Sequence, residues 1–403
     1  MNAQTRRRPM TREEALARQE RRRHQAEMEA QSRELAKGPV DLPFFLLVVL
    51  LTGIGLIMLF SASFPRAYFK SNDPAKYLIR QAVFAAMGFA AMGIVGKINY
   101  QRYRALAKPL LALAVILLAL VLIPGIGQVR NNARRWIGIG ESLTFQPSEI
   151  AKFAVVLYFS DDISKKKDKM LDFRTGIAPY AVILIVLGGL MMLEPHLSGT
   201  VLIFGVGAIL MLAGGIRWRW VGLAAGGAAV LGYLIVGVAG YGHSRIAMWL
   251  DPWIDARDKG YQMVQSLLAI GSGGLLGVGL GKSREKFLYL PEEHNDFIFS
   301  IVCEELGLIG AGIIMILFAA LILRGYWIAL HARDRFGSLL VIGVTSLLAM
   351  QTFLNISVVS GLLPATGISL PFFSYGGTAL MIQLAEMGVV LSVSRQMKPP
   401  RGG

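Results

Sequence analysis

The chain has 403 residues, of which 54% are hydrophobic and 17% charged, with mean hydropathy +0.53. Soluble globular domains carry about a quarter charged residues, so this composition excludes an ordinary soluble fold. The formal net charge is +15, and the single cysteine, Cys303, excludes an internal disulfide and a thiolate metal cluster.

Residues 1–39 are charged and show no apolar face, which predicts a disordered or loosely helical tail acting as a topology anchor or docking segment. Apolar runs of about 17 to 25 residues then recur, the length that crosses a bilayer as a helix. They are Leu42–Ser61, Gln81–Gly96, Leu106–Ile123, Ile150–Phe159, Ile177–Leu193, Thr200–Gly214, Val221–Gly240, Phe297–Leu323, Leu339–Val359 and Thr378–Val393. Ile150–Phe159 is short and spans only if its helix begins near Pro147. No small-residue cleavage site accompanies the first run, so no signal peptide is expected. The expected fold is all-α: a polytopic bundle of about ten transmembrane helices with a large extracytoplasmic loop between the seventh and eighth. Its organisation is a tail over 1–40, one membrane domain over 41–395 and a short tail over 396–403.

Ten spans would place both termini on one side. The loops of that side carry Lys97, Arg102, Arg104 and Lys108, then Lys165, Lys166, Lys167, Lys169 and Arg174, then Arg217 and Arg219, then Arg324, Arg333 and Arg335. Cytoplasmic loops are enriched in Lys and Arg, so this side is read as cytoplasmic. The positive charge thus belongs to topology, and nucleic acid is not an expected partner.

Two outward loops, 124–148 and 241–296, are long enough to be functional. They breach the charge rule with Arg130, Arg134 and Arg135 in the first and Arg245, Lys282, Arg284 and Lys286 in the second. Guanidinium forks and ammonium groups suit phosphate oxygens, and Trp136 suits the headgroup level. An amphiphile with a phosphate head would account for the set. Pairing with Asp251, Asp255, Asp258 and Glu285, or with lipid headgroups, is the alternative.

In FQPSEIAK (Phe145–Lys152), Pro147 fits a first helical turn and Glu149 and Lys152 stand at i,i+3, within ion-pair reach. That pair serves either structure or substrate contact. GSGGLLGVGLGKS (Gly271–Ser283) superficially looks like a phosphate-binding loop, but Leu276 stands where that motif needs its first glycine and no strand precedes it. Its glycines are read as permitting tight turns and close backbone approach. LPEEHNDFIFSIVCEEL (Leu290–Leu306) brings carboxylates to a membrane entrance, where they cost several kcal/mol and are usually functional. With a helix starting near Asp296, Ser300, Cys303, Gly307 and Gly310 share its face; they either permit close helix packing or line a cavity. Glu304 lies about 80° round from Asp296 and Glu305 opposite, so they are not expected to act as one close carboxylate dyad. Asp296 is placed for a general base, with stabilisation of a helix N-terminus as the alternative. His294, a lone loop histidine, reads first as a hydrogen-bonding residue. The uncharged stretch Ser360–Gly377 packs either against a lipid chain or into the top of the bundle.

The stretches NNARRWIGIG, FQPSEIAK, DPWIDARDKGYQMVQSLLAIGSGGLLGVGLGKS, LPEEHNDFIFSIVCEELG and GLLPATGISLPFFSYGG, in this order from about Phe44 to Val393, together resemble the SEDS family of FtsW, RodA and SpoVE. GLGKSREKFLYLPE and the Ala-Arg-Arg-Trp form look closer to the FtsW and SpoVE branch. The resemblance implies a ten-helix membrane enzyme that polymerises lipid II into glycan strands at the outer face of the cytoplasmic membrane. It implies Asp296 as the catalytic base, with inversion at the anomeric carbon. The candidate substrate-binding set is Arg134, Arg135, Trp136, Glu149, Lys152, Arg245, Lys282 and His294. Implied partners are lipid II, the nascent glycan, a class B penicillin-binding transpeptidase and other membrane proteins of the division or elongation machinery. A divalent cation, Mg or Mn, on the diphosphate is compatible with this chemistry, though no ligand cluster announces one. Three features depart from the family pattern: Glu293 and Asn295 replace the usual Ala and Thr, and EPHLSG (Glu194–Gly199) replaces a form nearer PDFG. A lipid II flippase and a noncatalytic division scaffold are the rival readings.

Overall fold

The computed structural model of the chain describes residues 38–130, 133–139, 143–233 and 243–397. The N-terminal tail up to residue 37 and the last six residues of the C-terminal tail lie outside them. Helices are α1 Leu42–Ser71, α2 Lys76–Lys97, α3 Ala107–Leu122, α4 Pro147–Lys166, α5 Ala178–Leu193, α6 Leu197–Ala213, α7 Trp218–Tyr233, α8 His243–Leu250, α9 Tyr261–Gly273, α10 Ile298–Leu330, α11 Arg335–Val359 and α12 Gly377–Ser394. Every apolar run picked out above overlaps one of these, and the end of Val221–Gly240 past Tyr233 lies outside the described residues. Seven helical segments among the described residues are long and apolar enough to cross a membrane, and α6 is apolar but shorter. The chain is therefore a multi-pass membrane protein.

The two ends of the bundle's chain meet. Asp41 caps α1 by accepting from the Phe44 N–H, and its own N–H donates to Ser394 Oγ at 3.2 Å. Arg324 adds a two-pronged ion pair to the Asp41 carboxylate, and Arg395 Nε donates to the Gly38 carbonyl at 2.9 Å. The helices α4, α6 and α7 stand outside that set of seven.

Without a hydrophobic drive between helices in lipid, small residues let backbones approach. α2 and α12 pack in this way: a Cβ on Gly388 would fall 2.7 Å from the Met92 carbonyl oxygen. α11 is the central helix, with 67% of its apolar window buried inside protein against 22% for the span ending in α3. To this helical bundle the first outer loop adds a small antiparallel sheet in the order β1 Gly127–Arg130, β2 Ala133–Ile139, β3 Leu143–Phe145. Thr378 Oγ1 donates to the Thr144 carbonyl, which seats the sheet over the start of α12.

α10 is not one helix. Gly307 has φ 68° and ψ −171°, a conformation essentially reserved for glycine, and it breaks the hydrogen-bond ladder. Inside a membrane the freed backbone groups need partners. The glycine segment after α9 supplies them: Leu308 and Ile309 N–H donate to the Gly274 and Leu275 carbonyls, while Val278 and Gly279 N–H donate to those of Glu304 and Glu305. The expected close approach of the glycines is thus borne out, for a Cβ on Gly277 would lie 2.1 Å from the Glu305 carbonyl oxygen. Gly307→Ala combines this backbone strain with a Cβ 2.3 Å from the Gly277 nitrogen. We expect it to cost at least about 3 kcal/mol and to lower the thermal unfolding midpoint in detergent; an unchanged midpoint would contradict the break.

The break also corrects the helical count made across it. The helix starts at Ile298, two residues past Asp296, and no side chain caps it. Ser300 hydrogen-bonds Ser266 of α9, Cys303 backs onto Gly273, and Gly307 backs onto Gly277. Ser300, Cys303 and Gly307 thus lie on a packing face.

Candidate active site

A cavity of about 1130 Å³ opens between the sheet, the α1–α2 corner, the starts of α4 and α6, and the segment 367–380. Asp296 stands in its wall. A turn built on the Glu292 carbonyl, which accepts from the Asn295 and Phe297 N–H groups, presents the residue. The segment after α11 then locks that turn. Asn355 Nδ2 donates to the Asp296 and Ile368 carbonyls at 2.8 and 2.7 Å, Ser374 Oγ donates to the Asn295 carbonyl, and the Tyr375 N–H donates to that of His294. Gly367, at φ 70°, passes so close that a Cβ there would lie 3.2 Å from Asp296 Oδ2. The uncharged stretch therefore serves as a clamp on the acidic turn.

The carboxylate of Asp296 is partly accessible from the cavity but surrounded by protein on its other sides. Burial raises its pKa to about 6, with Glu292 adding to the rise and Arg135 and His294 opposing it. Half-ionised near pH 6, it is a stronger proton acceptor than an ordinary aspartate. His294 is buried, its Nδ1 lies 3.5 Å from Glu293 Oε1, and its ring meets those of Tyr77 and Tyr375. Burial works against ionisation of Glu293, but its neighbours His294 and Arg66 hold it below the usual carboxylate range.

Lys152 Nζ lies 2.8 Å from Glu149 Oε2, the i,i+3 pair expected from FQPSEIAK, and both residues line the cavity. Glu386 of α12 lies within electrostatic reach of the pair. Arg135 lines the cavity too, anchored by donating to the Glu194 and Pro195 carbonyls. EPHLSG, which departs from the family pattern, thus positions a guanidinium. Burial raises the Glu194 carboxyl to about 8 despite Arg135, and lowers His196, also through Arg135 and Lys152, to about 3. Glu194 is thus mostly protonated and His196 neutral at pH 7, while Lys152 keeps Glu149 as its ion-pair partner.

Of the residues picked from sequence, Asp296, Arg135, Trp136, Glu149, Lys152 and His294 come together in the cavity. Arg134 does not: its Nη1 donates to the Leu122 carbonyl at 3.1 Å and its stem covers Gly127. Adjacent strand residues point to opposite faces, so one of an Arg pair must leave. Lys282 is exposed on a turn of the glycine segment and does not line the cavity. Lys286 is spent on a buried ion pair with Glu305. The side chain of Arg245 lies outside the described residues.

Sequence reading missed four cations at the α1–α2 corner, Arg66, Lys70, Lys76 and Arg80, all of which line the cavity. The signal was available: they breach the same charge rule on a turn that the ten-span reading puts outward and that is too short to attract notice. Glu304 and Glu305, without a role in the sequence reading, fasten the second outer loop. Glu304 accepts from Ser283 Oγ and the Arg284 N–H, and Glu305 accepts from Ser61 Oγ and Lys286 Nζ.

With this geometry in hand, the comparisons with known proteins are specific. Residues 42–399 match the family model of FtsW, RodA and SpoVE, described as cell cycle proteins. The chain is 44% identical over 361 residues to the probable peptidoglycan glycosyltransferase FtsW of Geobacter sulfurreducens, covering 89% of this chain and 96% of that one. It is 42% identical over 356 residues to the stage V sporulation protein E of Bacillus subtilis, covering 88% and 97%. Among solved structures it is similar to a chain described under "Structural coordination of polymerization and crosslinking by a peptidoglycan synthase complex", with TM-score 0.75, 28% identity and coverage of 89% and 98%. The rod shape determining protein RodA of Thermus thermophilus follows with TM-score 0.65, 28% identity and coverage of 90% and 98%. A helical membrane bundle, relatives at 42 to 44% identity and a family model that spans nearly the whole membrane part place this chain in the FtsW/RodA/SpoVE family.

Proposed function

We propose that the protein is a peptidoglycan glycosyltransferase that polymerises lipid II into glycan strands at the outer face of the cytoplasmic membrane. The observation that carries this reading is Asp296, a carboxylate with pKa near 6 set in a large cavity whose other wall bears Arg135 and Lys152. In the reaction, an acceptor sugar hydroxyl attacks the anomeric carbon of a lipid-linked donor. Its oxygen forms the new glycosidic bond, its proton passes to Asp296, and the anomeric C–O bond breaks with its electrons leaving on the lipid diphosphate. One displacement inverts the anomeric centre. Arg135 and Lys152 hold the diphosphate and stabilise the charge it gains. Among the described residues no group of three His, Cys, Asp or Glu side chains could cage a cation. A Mg or Mn ion would have to take most of its ligands from the diphosphate and water.

Both termini are assigned to the cytoplasm, on the side of the basic loops, and the cavity to the outer face. A transpeptidase of the class B penicillin-binding type is the proposed partner, supported by the likeness to a chain of a peptidoglycan synthase complex. Other membrane proteins of division or elongation belong to the same proposal, as does a septal location.

The test uses purified protein in liposomes with labelled lipid II, with and without a chelator. Glycan ladders are expected. Movement of lipid II across the bilayer with no polymer under either condition would favour the flippase reading, and neither activity would favour a scaffold.

A further inference from the structure

The cavity has a second cationic wall that the reaction just described does not use. Arg66 and Lys70 close α1, Lys76 and Arg80 open α2, and all four line the cavity. Arg66 is fixed rather than mobile: its Nε and Nη2 donate to Glu293 Oε1 and Oε2 at 2.6 and 2.7 Å. Glu293 is fully buried, so the guanidinium fork is locked along one edge. That edge uses two of its five N–H donors, leaving others for the cavity that Arg66 lines. A buried ion pair is weak evidence for stability, because apolar residues of similar size often do as well. Orientation of Arg66 is the better account of Glu293.

The two cation groups have different surroundings. Arg135 and Lys152 act on His196, whereas Arg66 acts on Glu293, Glu292 and Tyr77. Glu292 lies within electrostatic reach of both Arg66 and Asp296, and the turn 292–296 that carries Asp296 also holds Glu293, the partner of Arg66. Resting on the polymerase reading, the stoichiometry then matters. Each bond joins two lipid-linked molecules, a donor whose diphosphate leaves and an acceptor whose diphosphate stays. We propose that the α1–α2 corner is a second diphosphate subsite, with Arg66, Lys76 and Arg80 as its ligands and Glu293 as the positioning residue for Arg66. Arg135, which acts on Asp296, takes the leaving diphosphate; the corner takes the one that is retained.

The experiment titrates full-length Asp296→Asn protein in zwitterionic nanodiscs with inorganic pyrophosphate by calorimetry. Two equivalents are expected. Arg66→Leu/Glu293→Leu, which removes both charges together, should bind one equivalent and keep a cooperative unfolding transition. If that pair does not fold, Arg80→Gln decides by weakening one of the two sites about tenfold. In the Asp296 background, Arg66→Leu/Glu293→Leu should raise KM for labelled lipid II about tenfold with a smaller change in kcat. Binding of a single equivalent by the parent, or two equal sites in every variant, overturns the subsite. Loss of the second equivalent when phosphatidylglycerol is added would also overturn it, assigning the corner to lipid headgroups. Binding is counted without turnover, so this result stands or falls separately from glycan synthesis.

Discussion

Asp296→Asn is expected to lower glycan polymerisation by about 10² to 10⁴-fold, the usual worth of a positioned general base, while making the folded protein more stable at neutral pH. The two effects share one cause. The pKa of Asp296 is raised from 3.8 to about 6, so the folded protein binds this proton more tightly than the unfolded chain does. The stability due to that proton is complete below pH 3.8 and is lost as pH rises through 6. Above pH 6 the ionised carboxylate is retained at a cost of up to about 3 kcal/mol, less for its partial exposure to the cavity. Asparagine removes the cost along with the base. Thermal unfolding at pH 7.5 should therefore show Asp296→Asn above wild type, with the difference closing between pH 6 and pH 4. The polymerisation rate of wild type should fall as pH drops through about 6. Ladders at the wild-type rate in Asp296→Asn would remove the residue from the chemistry.

The largest stability loss is expected from Lys286→Ala. Its ammonium is 3% exposed, Glu305 is fully buried, and the two lie 2.9 Å apart with Ser61 Oγ bonded to both. Removing Lys286 leaves a buried carboxylate without its countercharge, which costs about 3 to 5 kcal/mol. Since the pair ties the second outer loop to α1, the loss should appear as a lower unfolding midpoint and as faster proteolysis within 274–290. Lys286→Met/Glu305→Leu should recover most of it. A double variant as unstable as the single one would mean that the charges, rather than their pairing, support the loop.

What was legible in the sequence was whatever short-range spacing carries. Apolar runs marked the seven described helical segments long enough to cross a membrane, and the i,i+3 spacing of Glu149 and Lys152 held because α4 starts at Pro147, as its N-terminal preference predicts. Asp296 was legible because its position at a loop–helix junction is local. Three things were not. The Arg66–Glu293 pair joins residues 227 apart, and nothing in either neighbourhood encodes the other. Arg134 and Arg135 look equivalent until a strand turns one of them away from the cavity. The roles of Glu304 and Glu305 were hidden because helical counting assumes a continuous helix, and Gly307 ends that assumption two residues later.

The same break has a mechanical consequence. A continuous helix of 33 residues would be a rod of about 50 Å. A change of about 10° in tilt at its inner end would swing the outer end by about 9 Å, and tilt is how membrane helices adjust to bilayer thickness. The nine residues from Ile298 to Leu306 form a lever of only about 13 Å, and the glycine segment bonds to both sides of the break. The shorter lever reduces the swing that a given tilt imposes near Asp296 to about 2 Å, so its register with the cavity should survive transfer between membranes of different thickness.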